Sequence, residues 1–217
     1  MVELARAAGD SAALGDRSGK VMYRVSTTQM RRLYAVERAI AAAAELEPVF
    51  VIVDGQIPNA FAGVGDGGQR VVGINFGMLE LIGLDMHMAA ALIGHEIAHL
   101  KLEHGDKAQA QEESSDLLGA IGGTVMSGLG VPAAGLISGL SVSAAQSAYS
   151  REHEREADYL GAIWAIESGF DADGAVRLHE AISAGTGGQV SPFFSTHPSG
   201  PERIATLREL SERLQRE

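Results

Sequence analysis

Residues 95–99 read His-Glu-Ile-Ala-His, and they constrain the fold because they place polar groups inside an apolar segment. Leu92 and Ile93 precede the motif and Leu100 follows it, which is not the pattern of a solvated helix face. On a helix, residues four apart project from the same side. Burying two histidines and a glutamate is unfavourable unless they are paired or bound to a cation. The segment therefore predicts a largely buried helix that carries a polar site.

The chemistry of that site follows from the spacing of its three polar residues. His95 and His99 lie one helical turn apart and suit two positions of a tetrahedral zinc ion. Glu96 lies between them and is placed to act as a general base towards a water molecule on the metal. The alternative is a chance match on a solvated face, and the apolar neighbours disfavour it. The sequence predicts one zinc ion per chain.

The same helix has recognisable ends. Asp85 is suited to cap its N-terminus, so the helix is expected to begin at about Met86. It is expected to end near His104, with Gly105 as its C-terminal cap.

A catalytic zinc ion usually has three protein ligands, and this chain has no cysteine to supply the third. The richest candidate segment is 150–158. Glu154 and Asp158 share a helix face with small residues, and the motif helix also has small residues beside its ligands. Two such helices can approach closely, which makes Glu154 the predicted third ligand. The small residues are Ser150, Ala157, Gly161 and Ala165 on one helix and Ala91, Gly94 and Ala98 on the other.

The other polar residues of this segment have different expected roles. Asp158 is predicted to accept the free ring N–H of His95 or His99 and so to select its tautomer. His153 is the alternative third ligand, although a buried structural histidine is the favoured interpretation. Glu152 and Glu156 lie on another face and are expected to be solvated.

Four segments in order resemble the HtpX-like and Ste-type CAAX prenyl protease family of zinc metallopeptidases, which are gluzincins. The resemblance covers about residues 50–210. The matching segments are Asn59-Ala60-Phe61-Ala62, the His95–His99 motif, Ser150-Arg151-x-x-Glu154-x-x-Ala157-Asp158, and Thr196-His197-Pro198 followed by Arg203-Ile204.

The resemblance implies peptide-bond hydrolysis with zinc on His95, His99 and Glu154. It also implies that His197 stabilises the oxyanion of the transition state, with help from Arg203. Many family members carry transmembrane helices or a C-terminal helical-repeat domain, and this chain shows neither in plain form. We therefore expect a minimal soluble catalytic domain, and processing of prenylated proteins is not implied.

The residues Asn59, Ala60, Phe61 and Ala62 are expected to form an edge strand beside the cleft. An edge strand can bind an extended peptide through main-chain hydrogen bonds, which gives little sequence preference. Such binding suits a quality-control endopeptidase that acts on unfolded or misfolded polypeptides.

Composition limits the partners. The 217 residues suit one domain, and 17 basic against 28 acidic residues give a net charge of −11. This charge argues against nucleic acid and against an anionic membrane surface as partners. The first twenty residues lack an apolar core and are expected to be irregular rather than a signal peptide. The bacterial periplasm or cell envelope is the favoured location, with the cytoplasm as the alternative.

The predicted fold class is α+β, a mostly helical zincin-type domain with a small sheet beside the motif helix. Thr27 or Thr28 is expected to cap a helix that reaches about Leu46. A strand over 49–53 and a hairpin of 59–64 with 70–75 follow, and then a short helix over 76–83. Further helices are expected up to about Ser168, over 174–184 and from Pro201 onwards.

No charged residue occurs from Leu117 to Ser150. The favoured interpretation of 117–149 is a helical hairpin with a turn near 130–132, packed over the active-site region and continuing through Glu154. The alternative is a hairpin that touches a membrane or a partner protein.

Three functions remain in competition. The favoured one is a zinc endopeptidase, since Glu96 would have no use in a binding module. The second is a zinc-stabilised, chaperone-like module, and the third is an envelope assembly factor anchored through 117–149. A further hypothesis is latency, in which His197 occupies the metal as a fourth ligand and replaces the catalytic water.

Overall fold

The computed structural model contains helices and two three-stranded sheets, and it describes residues 3–8, 11–15, 21–65, 68–105, 149–185, 192–198 and 201–216. The described strands are β1 (Glu3–Ala8), β2 (Ser11–Gly15), β3 (Val21–Ser26), β4 (Val49–Val53), β5 (Ala60–Val64) and β6 (Arg70–Asn75). The described helices are α1 (Thr27–Ala43), α2 (Phe76–Ile82), α3 (Met86–Lys101), α4 (Arg151–Glu167), α5 (Gly174–Gly185), α6 (Pro192–Thr196) and α7 (Pro201–Leu214). The predicted α+β class is confirmed.

The sheet beside the motif helix has the order β4-β6-β5. The central strand β6 pairs in parallel with β4 and antiparallel with β5, with Val49 opposite Val71 and Ala60 opposite Ile74. Five of the six β6 residues are buried, as expected for a central strand. The predicted strand and hairpin are therefore confirmed, and β5 lies at an edge among the described strands.

The prediction of an irregular segment over residues 1–20 is wrong. Strands β1 and β2 lie there and pair antiparallel with each other, and β2 pairs with β3. Alanine and charged residues have little intrinsic preference for strands, so the sequence pattern carried no signal. The extended conformation is instead stabilised by main-chain hydrogen bonds between β1 and β2 and between β2 and β3, contacts that local sequence does not encode.

The cap of α1 also differs from the prediction. Ser26 is the N-cap, and its hydroxyl accepts a hydrogen bond of 3.1 Å from the Gln29 amide. The helix ends at Ala43, and Glu45 takes a left-handed backbone with φ of 50°. Ser26, Thr27 and Thr28 are all suitable caps. Because β3 ends at Ser26 and the helix begins at Thr27, Ser26 is the residue in the cap position.

Asn75 ties the hairpin to the helices. Its Oδ1 accepts from the Met78 amide at the start of α2, at 2.9 Å, and from the Asn59 amide at 3.0 Å. Its Nδ2 donates to the Ile57 carbonyl at 2.6 Å. One side chain therefore caps α2 and positions the entry of β5, which places the edge strand next to α3.

The motif helix α3 forms the centre of the core. Leu92, Ile93 and Ile97 are fully buried. Asp85 caps the helix as predicted, accepting from the amides of residues 87 and 88. The helix ends at Lys101 and not at His104, because Leu102 is its C-cap and Glu103 has a φ of 56°.

Helices α3 and α4 touch backbone to backbone. A Cβ atom placed on Gly94 would lie 2.8 Å from the Gly161 carbonyl oxygen, and one on Gly161 would lie 2.7 Å from the His95 nitrogen. The expected close approach of the two helices is thus observed. Helix α4 begins at Arg151 rather than continuing an earlier helix, because Ser150 is extended and caps it through the His153 amide.

The predicted helical hairpin over 117–149 lies outside the described residues apart from Tyr149, which precedes α4. Within the described part of the chain, every helix is too short or too polar to cross a membrane.

Candidate metal centre

Helices α3 and α4 bring three predicted ligands together. The Nε2 atoms of His95 and His99 are 3.0 Å apart. The Glu154 carboxylate lies 3.6 Å from the His95 nitrogen and 3.3 Å from the His99 nitrogen. All three residues are buried.

His197 joins this cluster from the segment after α6. Its Nδ1 lies 3.1 Å from His95 Nε2 and 3.1 Å from Glu154 Oε1. The His197 amide donates to the Phe193 carbonyl at 2.8 Å, and the two rings stack with centroids 4.5 Å apart. One ligand atom from each of His95, His99, Glu154 and His197 lies within 4.8 Å of the others.

The donor set fits a divalent metal ion such as zinc. Ligand atoms at bond lengths of about 2.0–2.1 Å from a tetrahedral zinc ion lie about 3.4 Å apart, close to the observed spacing. Burial, followed by the neighbouring His95, holds the pKa of His99 well below its usual value, so its ring is neutral as a ligand must be. Burial alone would raise the pKa of Glu154, but His197 and His95 hold it below the usual range. The described residues therefore form a buried His/Glu cluster that could hold a metal.

Glu96 lies beside the cluster and is fully buried. Neither of its carboxylate oxygens accepts a hydrogen bond from the described residues, and His197 Nε2 lies 3.4 Å from Oε1. Burial raises the pKa of this carboxyl group. An unsatisfied buried acceptor is unfavourable in a folded protein, so its presence calls for an explanation.

Asp158 lies one turn beyond Glu154 and contacts His95. Its Oδ1 lies 3.0 Å from His95 Nδ1, so that nitrogen carries the proton and Nε2 keeps its lone pair for the cluster. Burial would raise the pKa of Asp158, but Arg203 lowers it below the usual range. Asp158 is therefore a carboxylate that orients the His95 ring.

Arg203 of α7 bridges the two carboxylates. It donates to Asp158 through Nε at 2.9 Å and Nη2 at 2.7 Å, and Nη1 donates to Glu154 and to the Pro198 carbonyl. These contacts orient the carboxylates. The help that Arg203 is predicted to give to an oxyanion stays a prediction.

The other candidates of α4 lie away from the four donor atoms. The His153 ring stacks on His104, with centroids 4.3 Å apart, and its Nδ1 is buried without a hydrogen bond from the described residues. The Glu156 side chain is 53% exposed, as expected for a solvated residue, yet its Oε2 lies 3.1 Å from His104 Nε2.

Sequence reasoning missed two residues beside the cluster, His104 and Tyr149. His104 Nδ1 lies 2.9 Å from His99 Nδ1, and the Tyr149 ring stacks on the His99 ring with centroids 3.8 Å apart. A spacing of five residues does not share a helix face. No periodicity could therefore have connected His104 with His99.

A cavity of about 250 Å³ lies between the edge strand β5 and the end of α3. It is bordered by His99 of the His/Glu cluster and by Ala62 of the predicted substrate strand. Of that strand, Ala62 lines the cavity, whereas the Phe61 ring packs over Gly73 of β6. The cavity is lined by Ala62, Gly63, Val64, Gly68, Arg70, His99, Leu100, Glu103, Gly105 and Tyr149.

Comparison with known proteins yields one family. The sequence model of peptidase family M48 matches residues 27–211. A protease HtpX homolog from Thermodesulfovibrio yellowstonii is 30% identical over 87% of this chain and 78% of the relative. Mitochondrial metalloendopeptidase OMA1 from Arabidopsis thaliana is 30% identical over 78% of this chain. A putative beta-barrel assembly-enhancing protease from Vibrio cholerae is 27% identical over 55% of this chain.

The chain covers different shares of the lengths of these relatives. It spans 33% of the Arabidopsis protein and 26% of the Vibrio protein, but most of the HtpX homolog. The family match includes the motif helix, Glu154, His197 and Arg203, and it confirms the predicted metallopeptidase class. Membership of such a family implies a polypeptide substrate. Because the family model matches most of the chain and the donor cluster is present, the chain belongs to peptidase family M48.

Proposed function

We propose that this chain is a zinc-dependent metalloendopeptidase that cleaves unfolded or misfolded polypeptides in protein quality control. The observation that carries the proposal is the fully buried Glu96, whose carboxylate accepts no hydrogen bond from the described residues, next to the converging donors. A site that only held a metal for stability would have no use for that carboxylate.

The proposed ligands are His95, His99 and Glu154. A zinc ion held there would supply a Lewis acid for the scissile carbonyl and would lower the pKa of a bound water towards about 7. Glu96 accepts the proton of the attacking water on one carboxylate oxygen and then donates it to the leaving amine. Since burial raises its pKa, Glu96 is a better base than an exposed glutamate.

His197 is proposed as the donor to the oxyanion of the transition state. Its Nε2 lies 3.4 Å from Glu96 Oε1, so a donor and a base share one wall of the site. Asp158 and Arg203 hold the ligands in place through the hydrogen bonds described above.

The proposed substrate-binding residues are Asn59, Ala60, Phe61 and Ala62. Because β5 is an edge strand next to the cavity, an extended peptide can add to it by main-chain hydrogen bonds. Unfolded chains offer such extended segments far more often than folded proteins do, which explains the proposed preference for unfolded chains. We place the protein in the bacterial periplasm or envelope, and the relative named as a beta-barrel assembly-enhancing protease supports this location.

The function is tested by degradation of casein. We expect the zinc-loaded protein to cleave casein and to spare a folded, disulfide-intact lysozyme. A chelator should abolish the cleavage and added zinc should restore it, which would identify the metal. Zinc-independent cleavage, or tight binding of casein by zinc-loaded protein without cleavage, would contradict the proposal.

A second candidate function rests on the number of donors. His95, His99, Glu154 and His197 together could fill all four positions of a tetrahedral ion, which is typical of structural zinc sites. A zinc-stabilised, chaperone-like module would have such a site. A latent peptidase would have it too, if His197 can leave the metal.

Replacing His197 by alanine separates these cases. Under latency we expect the basal rate of casein cleavage to rise, because the fourth position opens to water. The rate and the zinc content are measured together, with His87→Ala as the control, since His87 lies outside the cluster. A lower rate with unchanged zinc content would instead make His197 the transition-state donor. Absence of activity in both proteins would favour the binding module.

A further inference from the structure

His104 is the most deeply buried histidine outside the four donors, with no exposed surface. Its Nδ1 lies 2.9 Å from His99 Nδ1, and its Nε2 lies 3.1 Å from the Glu156 carboxylate. It thus connects the predicted metal ligand His99 with a half-exposed acidic side chain. No step of the proposed mechanism uses either His104 or Glu156.

The turn after α3 brings His104 to this position. Had the helix continued, a residue five positions after His99 would lie about 140° around the axis from it. The helix instead ends at Lys101, and Glu103 adopts a left-handed backbone with φ of 56°. Non-glycine residues rarely adopt this conformation, and the surrounding structure must stabilise it where they do.

Two aromatic stacks hold the rings in place. Tyr149 stacks on His99 with the ring planes 17° apart, and His153 stacks on His104 with the planes 14° apart. Each histidine is therefore held on one face by a stacked ring and at its edge by a hydrogen bond. This restricts rotation of both side chains.

The hydrogen bonds have one consistent direction. His99 Nε2 faces the donor cluster and must offer a lone pair to a metal, so the ring proton is on Nδ1. That N–H donates to His104 Nδ1, which therefore has no proton. The His104 proton must then be on Nε2, where it donates to the Glu156 carboxylate. Each donor therefore meets an acceptor in the series of hydrogen bonds from Glu156 through His104 to His99.

We propose that His104 and Glu156 are positioning residues that fix the tautomer and the ring orientation of His99 for metal binding. Asp158 and Arg203 hold His95 in the same manner from the other side. The inference rests on the proposed zinc site. It assigns a positioning role to Glu156, which the sequence pattern predicts to be a solvated residue.

The test compares His104→Leu with His104→Asn. The two side chains have nearly the same shape, but only asparagine keeps an acceptor near the position of Nδ1. Loss of a hydrogen-bond partner behind a metal ligand typically weakens binding 10–100-fold. We expect a zinc dissociation constant about 10–100-fold higher for His104→Leu and close to the wild-type value for His104→Asn. Competition with a chromophoric chelator measures it.

Glu156→Ala is the second variant, because Glu156 is half-exposed and its loss should not prevent folding. We expect it to weaken zinc binding less than His104→Leu, with Glu152→Ala on the same helix as the matched control. The visible spectrum of the cobalt-substituted proteins reports the ligand geometry and should change for His104→Leu alone. Thermal unfolding of the metal-free proteins identifies any variant that fails to fold.

The outcomes distinguish this inference from the proposed function. The positioning role would be overturned if folded His104→Leu kept the wild-type zinc affinity and an unchanged cobalt spectrum. If that variant does not fold, wild-type zinc affinity in Glu156→Ala would overturn the role. If the variants bind zinc more weakly as expected but the wild-type protein fails to cleave casein, the peptidase function would be overturned and the positioning role supported. A wild-type protein that does not bind zinc would overturn both.

Discussion

Replacing Glu96 by glutamine is expected to abolish peptide hydrolysis and to leave the metal in place. Glutamine has nearly the same shape but cannot accept a proton at neutral pH, so the general base is lost. A positioned base typically contributes about 10²–10⁴-fold to the rate. The measurement is the turnover of casein by the two zinc-loaded proteins, together with their zinc content. Unchanged zinc is expected because Glu96 is not one of the converging donors.

The same substitution should make the metal-free protein more stable. Glu96 is buried without a hydrogen bond from the described residues, and burial raises the pKa of its carboxyl group. The folded form therefore holds the proton more tightly than the unfolded form. Relative to the glutamine variant, the wild type loses stability as the pH rises above the usual pKa of glutamate, until the raised pKa is passed. Retained turnover, or loss of zinc, in the glutamine variant would contradict the assigned role.

Replacing Gly161 by alanine is expected to damage both the fold and the metal centre. The new Cβ would lie 2.7 Å from the His95 nitrogen and 2.9 Å from the Gly94 carbonyl carbon. Both are backbone atoms, so helix α4 must move away from α3. Overpacking of this kind costs typically 1–3 kcal/mol, and we expect a loss of about 3 kcal/mol in the free energy of unfolding. That corresponds to roughly 6–12 °C in Tm.

The effect on the metal follows from the position of Glu154, two helical turns before Gly161 on α4. When α4 moves, the carboxylate moves away from His95 and His99, so the affinity for zinc falls. Ala162→Gly is the matched control, because it changes one methyl group at the next, buried residue and costs about 1 kcal/mol without displacing the helix. If Gly161→Ala instead raised the Tm, as the helix propensity of alanine alone would predict, α3 and α4 would be farther apart than in this structure.

Local periodicity was sufficient for much of the site. The apolar neighbours of residues 95–99 predicted a buried helix, and α3 is buried along most of its length. The small residues around Glu154 predicted a close helix contact, and Gly94 and Gly161 make it. These inferences succeeded because helical geometry fixes which residues share a face within one element.

Features that depend on several elements were not predictable in this way. Strands β1 and β2 lack a strand-forming composition and form because β1 pairs with β2 and β2 pairs with β3. The end of α3 at Lys101 depends on the left-handed Glu103 and on the burial of His104. In each case the stabilising contact lies outside the window that a local pattern covers.

The sequence by itself determined which groups can do the chemistry. The spacing of His95 and His99, the position of Glu96 between them and the small face around Glu154 are local properties of two helices. The tertiary structure alone decided how these groups are held. Arg203 reaches Asp158 and Glu154 from α7, and His104 reaches His99 through a turn, because hydrogen bonds between separate elements depend on their packing rather than on residue spacing.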